Sequence, residues 1–372
     1  MSQNPEISYI AVKDIKPKAK KVLLVSDENI FKNHGQALSF DIAEKLILKN
    51  PKADDKNLAK IAKKLANCDH IIAFGSGTIN DLCKYTAAQK NLTYSIIPSS
   101  ASMNGYLSKN ASITIKGYKT TLAATLPTNV YCDLEIIRLA PMKLTKAGIG
   151  DLMCFYSCWF DWYLSHKLLG TKFDAKPFEI LQPKMELFLK NYQKYSLQSK
   201  ELLNILMEIL FLSGQGMTMA GGSYPASQSE HMIAHTIEMK YPKIAAKLLH
   251  GEIIAVTTIT SAKLQKQLLL AQEAKIKTKV ADLENFFGKT VGKECLKSYE
   301  EKIATIKRSK KISKYLVEEL KQIHLDEAKI KKVFKHFKIA MSLDKKISTK
   351  EYQECVKHAK FTRNRFTVLD FS

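Results

Sequence analysis

The first third of the chain alternates short runs rich in apolar residues with stretches of helical spacing. Residues 20–26 (KKVLLVS), 43–49 (AEKLILK), 71–74 (IIAF), 93–98 (TYSIIP) and 128–134 (TNVYCDL) are each bounded by polar or turn residues, the pattern of strands buried on both faces. Between them, LAKIAKKLA repeats its apolar positions at helical period, and the segment after Pro51 is set to start a helix near Asp54 and Asp55. Such alternation predicts a doubly wound α/β unit over roughly the first 135 residues, with ligands beyond the carboxyl ends of its strands. ASITIKGYKTTLA (111–123) reads as a β-hairpin turning at Lys116-Gly117. From Pro141 onward the spacing is helical almost to the end of the sequence. The expected division is therefore residues 1–140, an α/β domain, and residues 141–372, an all-α domain; 372 residues are enough to bury two cores. Residues 300–340 mix Lys and Glu with apolar positions, which predicts helices that pack one face and expose their charges.

Within this pattern HIIAFGSGTINDLCKY (70–85) stands out, because an apolar strand breaks at Gly75-Ser76-Gly77 and helical spacing resumes at Thr78. Glycines there let the backbone approach a pyrophosphate, and the first free N–H groups of the helix favour negative charge. Thr78 and Asp81 read as an N-cap pair. The third glycine of the common dinucleotide fingerprint is replaced by Asn80, so an ordinary glycine turn stays open beside a nucleotide seat. Asp27 closes the first strand, where a carboxylate either accepts hydrogen bonds from an adenosine ribose, favouring NAD over NADP, or caps the turn.

Composition narrows the partners. Apolar residues make up 45% and charged residues 25%, ordinary for a globular protein. No run of 18 apolar residues occurs, and the first residues lack the basic-then-apolar order of a signal peptide, so a cytoplasmic protein without a membrane span is expected. The seven cysteines are scattered and odd in number, which argues against a disulfide framework. A net charge of +22 admits a nucleic-acid binder or a lysine-rich solvated surface that attracts an anionic substrate; no arginine-rich tract is present, and the second reading is preferred.

Metal-competent side chains gather in the second half. Gly148-Ile149-Gly150-Asp151 is read as placing a carboxylate at a helix start. His231 and His235 lie four apart on one helical face, and His250 opens a further apolar segment. Met232 follows the first histidine where a zincin needs Glu, which excludes that protease motif. The better trio is Asp151, His231 and His250, two imidazoles and a carboxylate around one divalent ion, with a position left for substrate. Zinc is favoured, with nickel and ferrous iron the other metals such a set suits. An ion held this way polarises a carbonyl or stabilises an alkoxide, and with a dinucleotide seat it suggests metal-assisted hydride transfer.

GSGTINDLCKY, PSSASMNGYLS, APMKLTKAGIGDL, GGSYPASQSEHMIAHTIEM, LLHGEIIAV and the closing HAKFTRNRFTVLDFS together resemble the glycerol-1-phosphate dehydrogenases, within the wider group of metal-dependent alcohol dehydrogenases, glycerol dehydrogenases and dehydroquinate synthases. The resemblance implies an N-terminal dinucleotide domain, a helical C-terminal domain, an active site in the cleft between them, and reversible reduction of dihydroxyacetone phosphate by NADH or NADPH. By motif, Gly75, Ser76, Gly77, Thr78, Asn80 and Asp81 resemble the pyrophosphate loop, and Ser99, Ser102 and Ser108 residues that line the cofactor. Asp151, His231 and His250 match the metal ligands, and His235 a substrate-contacting histidine placed to orient substrate or relay a proton. Asn104 departs from the family's usual Asp; its amide still donates and accepts hydrogen bonds to substrate, without the charge. Lys84 and Lys119 are further candidates for phosphate contacts, with plain surface lysine the competing reading. The family also implies a homo-oligomer, a dimer being favoured. The competing functions are a cyclase like dehydroquinate synthase, whose family typically has Glu in place of Asp151, a dehydrogenase of another small phosphorylated polyol, and a non-catalytic basic protein that binds nucleic acid.

Overall fold

The computed structural model describes residues 5–115, 118–271, 273–307, 309 and 311–372. Among the described residues there are eight strands: β1 (Glu6–Tyr9), β2 (Val22–Asp27), β3 (Glu44–Leu48), β4 (His70–Gly75), β5 (Thr93–Pro98), β6 (Asn110–Ile115), β7 (Tyr118–Ala123) and β8 (Asn129–Cys132). The helices that matter below are α1 (Glu28–His34), α2 (Asp55–Lys64), α3 (Gly77–Lys90), α4 (Leu134–Leu139), α5 (Met142–Leu152), α6 (Phe155–Leu169), α7 (Lys176–Asn191), α8 (Lys200–Met219), α9 (Ser229–Lys240), α10 (Pro242–Ala245) and α11 (His250–Leu270). Five more follow, the last being Thr349–Ala359.

The chain folds into two compact units. One comprises residues 1–148 and 194–218, the other residues 149–193 and 219–372. The first is built on a six-stranded parallel sheet in the order β1-β8-β5-β4-β2-β3. Its central strands are largely apolar because helices cover parallel sheets on both faces, and Leu23, Leu24, Ile71, Ile72, Phe74 and Ile97 are fully buried. Helix starts follow capping chemistry. Asp27 Oδ1 accepts from the N–H groups of Asn29 and Ile30, and Asp54 from that of Asn57. The hairpin β6–β7 pairs antiparallel as expected, while its turn at Lys116-Gly117 and the side chain of Lys119 lie outside the described residues.

Two elements depart from the sequence reading. β1 was not anticipated: at four residues with none buried it lacks an apolar run, and it exists because β8 offers a parallel edge. Helix α8 belongs with the α/β unit, although it follows the expected boundary near 140. Eleven of its residues are buried, Phe211 meets the ring of Tyr106 edge-on at 6.2 Å, and Thr218 Oγ1 donates to the carbonyl of Leu107. Periodicity gives a helix but not the layer it joins. α8 is long and apolar enough to cross a membrane, yet 67% of its apolar window is buried inside the fold, which marks a core helix.

The second unit is helical. One of its cores joins α6 (Phe160, Leu164, Leu168) and Leu268 of α11 to Leu316, Leu320, Phe366 and Val368.

Candidate functional site

In the α/β unit, β4 turns into α3 at Gly75-Ser76-Gly77. A Cβ on Gly75 would sit 2.7 Å from Ile79 Cγ1, so a glycine is required for the turn to close. Ser76, Gly77 and Thr78 remain accessible at the helix start, where the first-turn N–H groups lack intrahelical acceptors. The N-cap is Ser76, not Thr78, and the expected Thr78–Asp81 capping pair does not form. Asp81 instead accepts from the backbone N–H of Ser112 at 3.1 Å and pairs with Lys84 at 3.1 Å.

Asn80, Asp81 and Ser108 therefore support the loop from behind. Asn80 is fully buried, its amide toward the carbonyl of Gly105 and the hydroxyl of Tyr94, and the Ser108 hydroxyl donates to the carbonyls of Gly105 and Asn110. Lys84 is neither a surface lysine nor placed for a phosphate: wholly buried, it donates to the carbonyl of Gly105 at 2.8 Å. Ser99 is buried, its N–H on the carbonyl of Gly75, whereas Ser102 and Asn104 are partly exposed in the loop after β5.

In the helical unit, Asp151, His231 and His250 come together, each offering one ligand atom within 4.8 Å of the others. His231 Nε2 lies 3.8 Å from Asp151 Oδ1. Ligand atoms about 2.1 Å from a shared ion stand about 3.4 Å apart at a tetrahedral angle, so the pair needs only a small closure to hold one. Asp151 ends α5 rather than starting a helix, because the flanking glycines are packing positions within α5 and not a turn. A Cβ on Gly150 would fall 2.2 Å from the carbonyl oxygen of Gly251, so only glycine lets α5 approach the first turn of α11 and bring Asp151 beside His250. The helix dipole adds negative potential at that end of α5, which suits a cation next to the carboxylate.

Two glutamates orient the imidazoles. Glu230 Oε1 accepts from His231 Nδ1 at 2.9 Å, and Glu238 Oε1 from His250 Nδ1 at 3.0 Å, so each ring presents its Nε2 lone pair as a ligand. Burial alone would raise the Glu230 pKa, but bonds from His231, the N–H of Gln228 and Cys158 outweigh it and hold the carboxyl at about 2. Asp161, buried on α6, accepts from the N–H of Ser229 and fixes the start of α9. Cys154 also lies near Glu230 and His231. A bond from Cys158 lowers its pKa, but burial raises the thiol to about 11, so it stays protonated and is a poor ligand.

His235 sits beside the trio, its ring centroid 6.1 Å from that of His231 and 6.0 Å from that of His250. Its Nδ1 accepts from Arg363 Nη2 at 2.9 Å. Since guanidinium only donates, Nδ1 carries no proton and Nε2 is the N–H. Burial and the neighbouring Arg363 keep this ring well below the usual histidine range. His235 is thus a neutral donor, and relaying a proton by titrating near neutrality, the alternative raised by its residue type, does not fit its surroundings.

Residues 9–141 match the family model of iron-containing alcohol dehydrogenases. The chain is 33% identical over 184 residues to the glycerol-1-phosphate dehydrogenase [NAD(P)+] of Bacillus subtilis, covering 49% of this chain and 47% of that one. It is 30% identical over 248 residues to the enzyme of that name from Pyrococcus horikoshii, covering 67% of this chain and 69% of that one. The chain belongs to the glycerol-1-phosphate dehydrogenase family. The matched stretch spans 47% to 66% of the length of the first three curated relatives of the family. In fold it is similar to the iron-containing alcohol dehydrogenase of Corynebacterium glutamicum, with a TM-score of 0.66 at 14% identity over 99% of this chain and 90% of that one.

Sequence reasoning missed Glu230, Glu238, Asp161 and Arg363. Glu230 immediately precedes His231, and Glu238 lies three residues after His235 on the same helix, so both carried a local signal. The closing TRNR motif was visible without a role.

Gly150→Ala is expected to destabilise the protein by about 1–3 kcal/mol, the usual range for overpacking, and to weaken ion retention by pushing α5 off α11. Denaturant unfolding with metal analysis checks this; unchanged stability and metal content would show that the close approach is not required.

Proposed function

We propose that this chain catalyses the reversible, NAD(P)H-dependent reduction of dihydroxyacetone phosphate to sn-glycerol 1-phosphate. The observation that carries the reading is the convergence of Asp151, His231 and His250 with a glutamate behind each imidazole. A divalent ion in this set, zinc being favoured and nickel or ferrous iron also suited, would supply Lewis acidity toward a carbonyl oxygen while the nicotinamide supplies the hydride.

The chain's residues bind and orient. Glu230 and Glu238 keep both Nδ1 protons in place, so the ligand lone pairs need no rearrangement during turnover. His235 donates its Nε2–H to a substrate oxygen as negative charge grows there, where a neutral donor is most useful. The accessible turn at Ser76, Gly77 and Thr78 takes the pyrophosphate, Ser99 and Ser102 flank the cofactor, and Asn104 offers donor and acceptor to substrate. Asp27 engages Oδ1 in capping α1, and its other oxygen is the one for a ribose hydroxyl, which favours NAD. Cytoplasmic location and a homodimer complete the reading; all seven cysteines are free thiols, which suits a reducing compartment.

Metal-loaded protein mixed with dihydroxyacetone phosphate and NADH or NADPH should show a steady fall in absorbance at 340 nm. The product should resist oxidation by an enzyme specific for sn-glycerol 3-phosphate. No net cofactor consumption, or the opposite enantiomer, would reject the proposal.

A further inference from the structure

Two arginines from the closing segment lie half-buried in the helical unit beside the metal trio, and neither has a carboxylate within ion-pair distance among the described residues. Arg365 is fixed by its surroundings: its guanidinium stacks 4.2 Å from the centroid of the Tyr224 ring and donates to the Ser223 hydroxyl and the carbonyls of Ser223 and Ser227. Among the described residues Arg363 is held by neutral acceptors, through Nη1 on Ser227 Oγ and Nη2 on His235 Nδ1, both at 2.9 Å. A guanidinium carries five N–H groups, so Arg363 retains donors beyond these two. The unit treats another buried cation differently: Lys302 sits 2.8 Å from Asp370.

Two like charges placed together in a half-buried site are costly, with Glu230 and Glu238 acting on Arg363 through space and not by contact, and guanidinium cannot escape by losing its proton at neutral pH. Burial and the neighbouring Arg365 push Arg363 down, the carboxylates of Glu230 and Glu238 oppose them, and it stands at about 9. A counter-charge in direct contact would be supplied by an anion that arrives with the ligand. A planar fork that retains free N–H groups suits a phosphate, which it binds through paired hydrogen bonds. Arg363 is one hydrogen bond from His235, itself one ring from His231 and His250. The phosphate of a small ketose phosphate is separated from its carbonyl carbon by one methylene and one ester oxygen, a comparable reach. Lys84, the lysine that sequence suggested for a phosphate contact, is buried against Gly105 instead.

Resting on the reading of this centre as one that reduces a phosphorylated ketone, we propose that Arg363 binds the substrate's phosphate and so selects phosphorylated over neutral ketones.

The test compares wild type, Arg363→Gln and Arg363→Lys with dihydroxyacetone phosphate and with uncharged dihydroxyacetone. The loss that Arg363→Gln shows with dihydroxyacetone reports its support of His235. The loss in kcat/KM with the phosphorylated substrate should exceed that by at least about 30-fold, as for a severed buried charge pair, and Lys should restore part of the difference. A second readout needs no turnover: inorganic phosphate titrated calorimetrically into the metal-loaded proteins should bind wild type, bind Arg363→Lys more weakly, and fail to bind Arg363→Gln. Equal losses on both substrates, or phosphate affinity unchanged in Arg363→Gln, would overturn the assignment. A wild type that binds phosphate through Arg363 but reduces no ketone phosphate would reject the reaction and leave the anion site standing. Should Arg363→Gln fail to fold, the substrate split and phosphate affinity of Arg363→Lys decide the matter.

Discussion

His231→Ala is expected to lose its ion and its turnover together, with metal content falling from about one equivalent toward zero and kcat dropping about 10³-fold or more. The expectation follows from where the ring sits. His231 is the ligand nearest Asp151, at 3.8 Å, and is braced from behind by a glutamate held at about 2. Removing it leaves one imidazole and one carboxylate, too few for a site that must also keep a position open. Glu230 keeps bonds from the Gln228 N–H and the hydroxyl of Ser157, so α9 should stay folded. The variant therefore reports on the ion and not on collapse of the helix. Elemental analysis, circular dichroism and the 340 nm assay on one preparation check this. A folded His231→Ala protein with undiminished activity after chelation would mean that the trio is not the reaction centre.

The parts of the molecule legible in the sequence are those where one local rule suffices. β2, β4 and β5 are buried on both faces and so read as largely apolar runs, and Asp54 announces the helix it caps. That Asp151, His231 and His250 would come together was suggested by a carboxylate and an imidazole beside glycines and a histidine pair on one helix, even though the reason for the glycines was misread. Gly148 and Gly150 look like a turn in one dimension; the carbonyl of Gly251 that makes Gly150 necessary is a hundred residues away and leaves no local mark. β1 was hidden for a related reason, since its stability comes from β8 and not from its own four residues. The assignment of α8 to the α/β unit depends on which faces meet, and a helix buried nearly all round carries no stripe that names its partner. The inward set of Asn80, Asp81 and Ser108 was likewise beyond reach, because polar residues next to a glycine loop look the same from the sequence whether they face a ligand or the loop's own carbonyls.

Lys84 carries that last point to a measurable consequence: Lys84→Met should lower stability by about 3–5 kcal/mol, the usual effect of removing one partner of a buried ion pair. The ammonium is a buried cross-link. It donates to the carbonyl of Gly105 at 2.8 Å and approaches the carbonyl and hydroxyl of Ser108 at 3.5 and 3.4 Å, with Asp81 at 3.1 Å as counter-charge. Methionine fills a similar volume but cannot donate, which leaves two carbonyls and a carboxylate facing an apolar chain. Asp81 retains the Ser112 N–H and some contact with solvent, its side chain being 18% exposed, so the lower part of that range is expected if it turns outward. The damage should not be confined to stability. Lys84 ties α3, which begins at the glycine turn, to the 105–108 segment that follows Asn104, so loosening it should raise KM for nucleotide while ion content in the helical unit stays at wild-type level. Urea unfolding, nucleotide titration and metal analysis separate these effects. Wild-type stability in Lys84→Met would show that the lysine is not a structural cross-link, and lost metal with intact nucleotide affinity would place its influence in the wrong unit.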